Sequence, residues 1–441
     1  MQAVGERAVV LGGSMAGLLA ARVLSDHYER VTIVERDALP DGSEHRPGVP
    51  QARHTHGMLA CGARILERLL PGITAQVTPP DARDNDALRS GRWFNNGVFA
   101  AQAESGLEGF GVTRPLLESA VRQRVRDLPN IDVIDGHAGQ ALIAAGSRVV
   151  GARIRPRGGG AESELAADFV VDATGRASRA PAWLAALGYE PPDEDTVEVG
   201  LGYATRFYRR SPADLDGDFI VNVAAVPPNR RMGIALAVEG DRWIVTLAGL
   251  LGDHPPLDDE GFLVFAAGLP TRVIHDLIQR IEPLTDAVRT RFPAHRRVRY
   301  ERLKRVPDRF VAVGDAVASF NPVYGQGMSV AAQEAELLDG LLGESRVDGL
   351  PRRFYRAAAK TIDVPWDIAV GNDLRFPEVE GPRSPRVRLV NRYVGRLQRV
   401  AAHDPAVARA FFEVGNLVAP PTSLLRPGIA MRVLAGSVRA A

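Results

Sequence analysis

RAVVLGGSMAGLLAARVL, residues 7–24, decides the fold. Residues 8–11 are an apolar run, Gly12-Gly13-Ser14-Met15-Ala16-Gly17 is a turn of small residues, and residues 18–24 follow a helical pattern. Glu35 stands eighteen residues past Gly17, at the end of a second β-rich run, Val31-Thr32-Ile33-Val34. Strand, glycine turn, helix, strand and acid in that order predict a dinucleotide-binding βαβ unit. Gly12 makes the tight turn and Gly17 lets the helix pack close to the strand. The helix N-terminus then offers backbone N–H groups and a positive dipole end to a pyrophosphate. Glu35 is set to accept hydrogen bonds from a ribose diol. The middle glycine of the pattern is Ser14 here, a small residue that can donate to a phosphate oxygen. A glycine-rich turn of some other α/β fold is the alternative reading.

Length and charge narrow the function. The chain has 441 residues, enough for two to three domains, with 45% hydrophobic and 24% charged residues, an ordinary globular balance. The formal net charge of +1 gives no global basic footprint for nucleic acid or an anionic membrane. Cys61 is the only cysteine, which excludes an intrachain disulfide framework and fits a reducing cytoplasm. No apolar stretch approaches the length of a membrane span, and the first residues do not read as a signal peptide. A cytoplasmic protein is expected.

Working outward, residues 36–51 are rich in Asp, Pro and Gly and read as a loop. An amphipathic helix is expected over 58–70, strands crossing into another layer within 81–111, and a helix over 116–127 opened by Arg114-Pro115. Residues 131–134, 149–154 and 168–172 read as strands, the last running into Ala173-Thr174-Gly175-Arg176. Between 196 and 250 four alternating runs, 200–209, 219–226, 232–238 and 243–250, predict an antiparallel sheet. Residues 262–281 read as one helix, 309–315 as a strand ending in Gly-Asp, and about 329–342 as a helix. Residues 351–441 look helical, interrupted by the Pro-rich stretch 377–385. The expected domains are a first FAD-binding part over 1–80, substrate-domain strands over 81–111, and a second FAD-binding part over 112–180. An antiparallel substrate domain over 181–296, a third FAD-binding part over 297–345 and a helical region over 346–441 complete the chain.

The FAD in those assignments comes from a resemblance. Three markers in order, GGSMAG (12–17), DATGRAS (172–178) and GDAVASFNPVYGQGMS (314–329), resemble the FAD-dependent monooxygenases of the p-hydroxybenzoate hydroxylase class. GVPQARHTH (48–56) and FNPVYGQGMS (320–329) are similar, more narrowly, to the flavin epoxidases of polyether antibiotic biosynthesis, of the lasalocid epoxidase type. The resemblance implies an α/β fold: a Rossmann-like FAD-binding domain, an antiparallel-sheet substrate domain and a helical C-terminal region. It implies FAD held by Gly12, Ser14, Gly17, Glu35, Arg36, Arg114, Asp315, Pro322, Gly325, Gln326, Gly327 and Met328. Asp315 would accept from a ribityl hydroxyl, and the Gly325-Gln326-Gly327 turn would set a helix N-terminus against the flavin pyrimidine edge. Arg114 would reach the FAD phosphates; a solvated helix cap is its alternative.

The resemblance further implies reduction by NAD(P)H, directly or through a flavin reductase. Reduced FAD would then react with O2 to a C4a-hydroperoxide that hands one oxygen atom to a hydrophobic small-molecule substrate. Such chemistry needs a dry pocket. Tyr203, Phe207, Phe219, Met232 and Trp243 are the candidate apolar roof, and ordinary core packing would suit each of them as well. No catalytic residue is assigned. Because no base for activating a phenol is evident, the expected reaction is epoxidation of a polyketide-like or polyene alkene, as in antibiotic biosynthesis. Aromatic hydroxylation and flavin-dependent alkene reduction are the alternatives. Several departures from the family pattern stand out: Thr174 replaces the Asp of its Asp-Gly marker, Val317 replaces a His, and Trp366 lacks the second tryptophan of the flavin halogenases. His54 and His56 have no carboxylate cluster beside them and read as residues shaping the site, with no metal expected. Cys61 reads as a buried apolar residue.

Overall fold

A computed structural model describes residues 4–78, 85–344 and 347–439. The expected boundaries at 80/81 and 345/346 lie outside the described residues. The chain forms β1 (Gly5–Leu11), α1 (Met15–Leu24), β2 (Tyr28–Val34), α2 (Ala60–Leu69) and α3 (Ile73–Val77). A hairpin of β3 (Gly91–Asn95) and β4 (Val98–Phe99) precedes α4 (Arg114–Arg126) and β5 (Ile131–Ile134). A meander follows, β6 (His137–Ala145), β7 (Arg148–Pro156) and β8 (Ser163–Ala166), then β9 (Phe169–Asp172) and α5 (Ala180–Ala186). The long β10 (Glu194–Arg209), β11 (Ile220–Val223), β12 (Arg231–Val238) and β13 (Arg242–Gly249) lead to α6 (Asp259–Ala267), α7 (Val273–Ile278) and β14 (Val288–Val298). The rest is β15 (Phe310–Ala312), β16 (Ala318–Ser319), α8 (Gly327–Gly343), α9 (Leu350–Asp373), α10 (Pro385–Val400), α11 (Pro405–Gly415) and α12 (Pro427–Arg439).

Two sheets divide the work. The parallel sheet has the order β15-β9-β1-β2-β5, and all four residues of β9 are buried, as strands covered on both faces require. Helix α1 packs against α8 and α4, while the β6-β7-β8 meander packs on β9 and β2. The second sheet runs β16-β14-β10-β13-β12-β11-β3-β4 and is antiparallel except where β3 joins β11. One of its faces shares the large core with the parallel sheet through Leu201, Tyr203, Met232 and Ala248. The other is covered by α6 and α7, which bury Phe262, Phe265, Ile274 and Leu277 against Trp243, Val245 and Leu247. Helix α9 packs on α8, and α10 to α12 form a cluster that closes over Leu88 and Leu107. No helix among the described residues is long and apolar enough to cross a membrane. The architecture is the Rossmann-like domain, antiparallel sheet and helical C-terminal region expected.

Three local differences have plain causes. The helix expected over 262–281 is two helices, because α6 ends at Gly268 and Pro270 cannot continue it. Strand β14, VRTRFPAHRRV, carries five basic residues and offers little apolar alternation, so it did not read as a strand. β10 begins at Glu194, ahead of the expected start, since its polar first residues are registered by pairing with β14.

Candidate functional site

The first marker builds a turn in which side chains are excluded by backbone. Gly12 has φ +107°, and a Cβ there would lie 2.4 Å from Ala173 O; one on Gly17 would lie 1.8 Å from Gly12 O. Both glycines are therefore obligatory for α1 to start against β1 and β9. Ser14 is the N-cap of α1, yet its side chain does not cap the helix. Its Oγ donates to Glu118 Oε2 at 2.7 Å and accepts from Arg114 Nη2 at 3.0 Å.

An ionic cluster surrounds that hydroxyl. Arg114, the first residue of α4, is buried and donates to Glu118 Oε2 from Nη2 at 2.9 Å. The capping role falls to Thr113, whose side chain accepts from Leu116 N, so Arg114 is not a solvated cap. Arg46 pairs with the far oxygen of Glu118 and lies 3.4 Å from Glu35 Oε2. Burial opposes ionisation of Glu118, but the Arg114 and Arg46 guanidiniums and the Ser14 hydroxyl outweigh it and hold its carboxyl below the ordinary value. Glu35 accepts from Gly13 N at 2.7 Å through Oε2 and from Asp37 N at 3.0 Å through Oε1. Arg36, expected in this set, is instead exposed and donates to Gly48 O at 3.1 Å. The arginine that enters the cluster is Arg46. It and Glu118 were missed because a lone arginine in an irregular loop and a glutamate in mid-helix carry no pattern.

The third marker faces this cluster. Gly314, with φ +63°, lies two residues past β15, and its N–H donates to Glu334 Oε2 at 2.6 Å. Burial pushes the Glu334 carboxyl up to about 8, so it carries its proton at neutral pH. Burial also raises Asp315, against the pull of Arg114 and Arg176. A Cβ on Gly327 would lie 3.7 Å from Asp315 Oδ1, so the aspartate and the start of α8 adjoin. Pro322 opens the preceding turn, Gly325 takes φ +64°, and Met328 is buried in the core behind. Gln326 is 2% exposed and its Oε1 has no hydrogen-bond partner. In the second marker Thr174 donates through N and Oγ1 to Asp172 Oδ1, shaping its own turn; in the third, Val317 is core.

Across from these turns the antiparallel sheet offers a mixed roof. Tyr203, Thr205 and Phe207 share one face of β10, with Ala248, Thr246 and Ile244 opposite them on β13. Met232 is opposite Ala248 and joins this face, and Phe219 packs beside it with Phe207, Ile220 and Leu236. Trp243 does not. It is opposite Tyr208, five residues from Tyr203, so the two-residue alternation turns it to the far face. There its Nε1 donates to Asp214 Oδ2 at 3.0 Å beneath α6 and α7. Both faces of β13 are apolar, so sequence alternation could not sort them.

The roof also carries a polar chain that sequence reading did not foresee. His54 Nδ1 lies 2.7 Å from Thr205 Oγ1 and Nε2 lies 2.7 Å from Thr290 Oγ1. Thr205 Oγ1 is 2.5 Å from Thr246 Oγ1, which is 2.8 Å from Thr55 Oγ1. The His54 ring stands edge-on to Tyr203, with centroids 4.4 Å apart. Burial, with His56 and Arg53 nearby, lowers His54 to about 3; burial and Arg114 lower His56 to about 4. Both imidazoles are neutral at pH 7. Both ring nitrogens of His54 are engaged by threonines, which is not a metal-ligating arrangement. Cys61 is half-buried on α2, and burial raises its thiol above the ordinary value.

These residues fit FAD. The Gly12–Gly17 cradle admits a close backbone approach, the buried Arg114 and Arg46 supply positive charge beside the α1 N-terminus, and the orphaned Gln326 Oε1 sits at the α8 N-terminus. No protein-family model matches the chain. It is 27% identical over 400 residues to kynurenine 3-monooxygenase of Salinispora arenicola, covering 84% of this chain and 80% of that protein. PqsL, a probable FAD-dependent monooxygenase from Pseudomonas aeruginosa, superposes with a TM-score of 0.61 at 14% identity, over 85% of this chain and 98% of that one. Protein Rv3254 of Mycobacterium tuberculosis is 35% identical over 432 residues, covering 94% of this chain and 90% of that protein. On that likeness the chain belongs to the family of protein Rv3254, built on the fold of the FAD-dependent monooxygenases.

Proposed function

We propose that this protein is an FAD-dependent monooxygenase that epoxidises an alkene of a hydrophobic, polyketide-like or polyene substrate. When bound, FAD supplies activation of O2 and delivery of one oxygen atom, with NAD(P)H as reductant, directly or through a flavin reductase. Arg114, Arg46 and Ser14 hold the diphosphate, Glu35 the ribose, and Asp315 the ribityl chain. The α8 N-terminus, opened by Gly325, Gln326 and Gly327, favours negative charge on the reduced ring. Tyr203, Phe207 and Met232 exclude water and orient an apolar chain.

The observation that carries the choice of epoxidation is the state of His54. It is the imidazole of the roof, neutral, lowered to about 3, with both nitrogens bonded to threonines. A group so weakly basic is a poor match for deprotonating a phenol near pH 7. An alkene needs only positioning. Aromatic hydroxylation remains the second reading, because the Salinispora relative is by name a kynurenine 3-monooxygenase. Incubation with FAD, a flavin reductase, NAD(P)H and ¹⁸O2 separates the two. Labelled epoxides from long-chain alkenes are expected. Label in phenols with alkenes untouched refutes epoxidation, and a hydrogenated product refutes oxygenation altogether.

A further inference from the structure

The turn of residues 321–326, which leads into α8, is held from behind by residues outside all three markers. Asp373, the last residue of α9, is 1% exposed. Its Oδ2 accepts from His295 Nε2 at 2.7 Å and Asn321 Nδ2 at 3.0 Å, and its Oδ1 from Tyr324 Oη at 2.6 Å. Asn321 N donates to His295 Nδ1 at 3.2 Å, so the ring proton resides on Nε2 and points at the carboxylate. Tyr324 Oη in turn accepts from Asn372 Nδ2 at 2.8 Å. Arg375 bonds Asn372 Oδ1 at 3.2 Å and Asn96 Oδ1 at 2.8 Å, tying the network to the β3–β4 turn.

A carboxylate this buried is costly unless its lone pairs are satisfied, and here three donors from two elements converge on it. Two of the three, Asn321 and Tyr324, flank the Pro322-Val323 step of the turn. The anchor comes from the C-terminal helical region, whose α9 also reaches β15 through Tyr355 Oη, which accepts from Ala312 N at 2.8 Å. Loss of one such bond would free the turn and leave the pairing of the parallel sheet untouched.

We propose that Asp373 is a positioning residue for the bound flavin: through Asn321, Tyr324 and His295 it fixes the turn that aims the α8 N-terminus at the ring. The inference rests on the FAD reading above. It is tested by titrating FAD into flavin-free wild type, Tyr324→Phe and Asp373→Ala, with the thermal unfolding of each flavin-free protein measured alongside. The midpoint potential of bound FAD is measured for wild type and Tyr324→Phe, since that change leaves the Asp373 charge in place. Tyr324→Phe should unfold near the wild-type temperature yet bind FAD about tenfold more weakly. Its potential should fall by about 30 mV, the equivalent of a tenfold weaker preference for reduced over oxidised flavin in a two-electron couple. Asp373→Ala should lose more affinity; should it fail to fold, Tyr324→Phe decides alone. Wild-type affinity and potential in Tyr324→Phe overturn the positioning role and leave the FAD reading intact. A wild type that takes up no FAD overturns both, before any variant is made.

Discussion

The proposed diphosphate end and the roof of this site are built from opposite materials. At the proposed diphosphate end Arg114, Arg46, Glu118 and Glu35 form a buried network of full charges beside Ser14 at a helix N-terminus. At the roof His54 and four threonines make a chain of comparable length without a single charge. Charge in a low-dielectric setting grips an anionic cofactor strongly, whereas neutral hydrogen bonds orient without competing for it. The first region should therefore govern whether the cofactor stays, and the second how a substrate lies beside it. That contrast can be broken by experiment, and the largest effect falls at the diphosphate end. Gly17→Val should abolish both the fold of the parallel-sheet region and FAD uptake, since even a Cβ would sit 1.8 Å from Gly12 O. A folded, yellow Gly17→Val protein would show that the turn can be rebuilt.

Glu118 sits at the centre of the charged network. Glu118→Gln removes the anion between Arg114 and Arg46 and should cost the flavin-free protein about 3–5 kcal/mol, the usual penalty for stranding buried charges. FAD brings replacement negative charge, so the rise in melting temperature on adding FAD should be larger in the variant than in wild type. An equal rise would mean that the arginines do not face the diphosphate.

Glu334 tests a buried acid behind the Gly314-Asp315 turn. Its folded pKa of about 8 lies above the ordinary 4.5, so its stabilising contribution is complete below about pH 4.5 and is lost as pH rises through 8. Glu334→Gln, which mimics the protonated form, should be on the order of a few kcal/mol better than wild type at pH 9 than at pH 5. Chemical denaturation at the two pH values checks this; parallel curves would mean that the carboxyl is ionised throughout.

How much of this was legible beforehand follows the same division. Gly12, Gly17 and Glu35 were readable because a strained turn and a strand end impose residue types at fixed spacing. Asp315 and the 322–328 turn were named only through the resemblance carried by GDAVASFNPVYGQGMS (314–329). Arg46, Glu118 and Glu334 were not, because each is a single charged residue whose partner lies far along the chain. Trp243 was misjudged because both faces of β13 are apolar, and only its register with Tyr208 settles which way it points. The His54–threonine chain was invisible because it needs the registers of β10, β13 and β14 together with the segment between β2 and α2.

Asp315 gives a smaller effect that separates cofactor from core. Asp315→Ala should weaken FAD binding ten- to a hundredfold, the worth of a charge-assisted hydrogen bond of about 1.5–3 kcal/mol. The melting temperature of the flavin-free protein should barely move, because a carboxyl made harder to ionise by burial is not a net stabiliser of the empty site. Normal FAD binding would reassign the ribityl contact.

The smallest effect is expected at the roof, and it is where the two regions part most clearly. Thr205 Oγ1 joins His54 Nδ1 to Thr246 Oγ1. Thr205→Val keeps the shape but deletes both bonds, leaving a buried imidazole nitrogen without its partner. The cost should be about 1–2 kcal/mol of stability. Because no charge is involved, that cost should be the same at 0.05 and 0.5 M salt, whereas FAD affinity at the diphosphate end should fall as salt is raised. FAD affinity itself should be unchanged in Thr205→Val, and the variant's loss should be seen in KM for an alkene or in the distribution of epoxide isomers. An FAD affinity that drops in step with stability would mean that the roof also holds the cofactor, and the division of labour drawn from the two networks would fall with it.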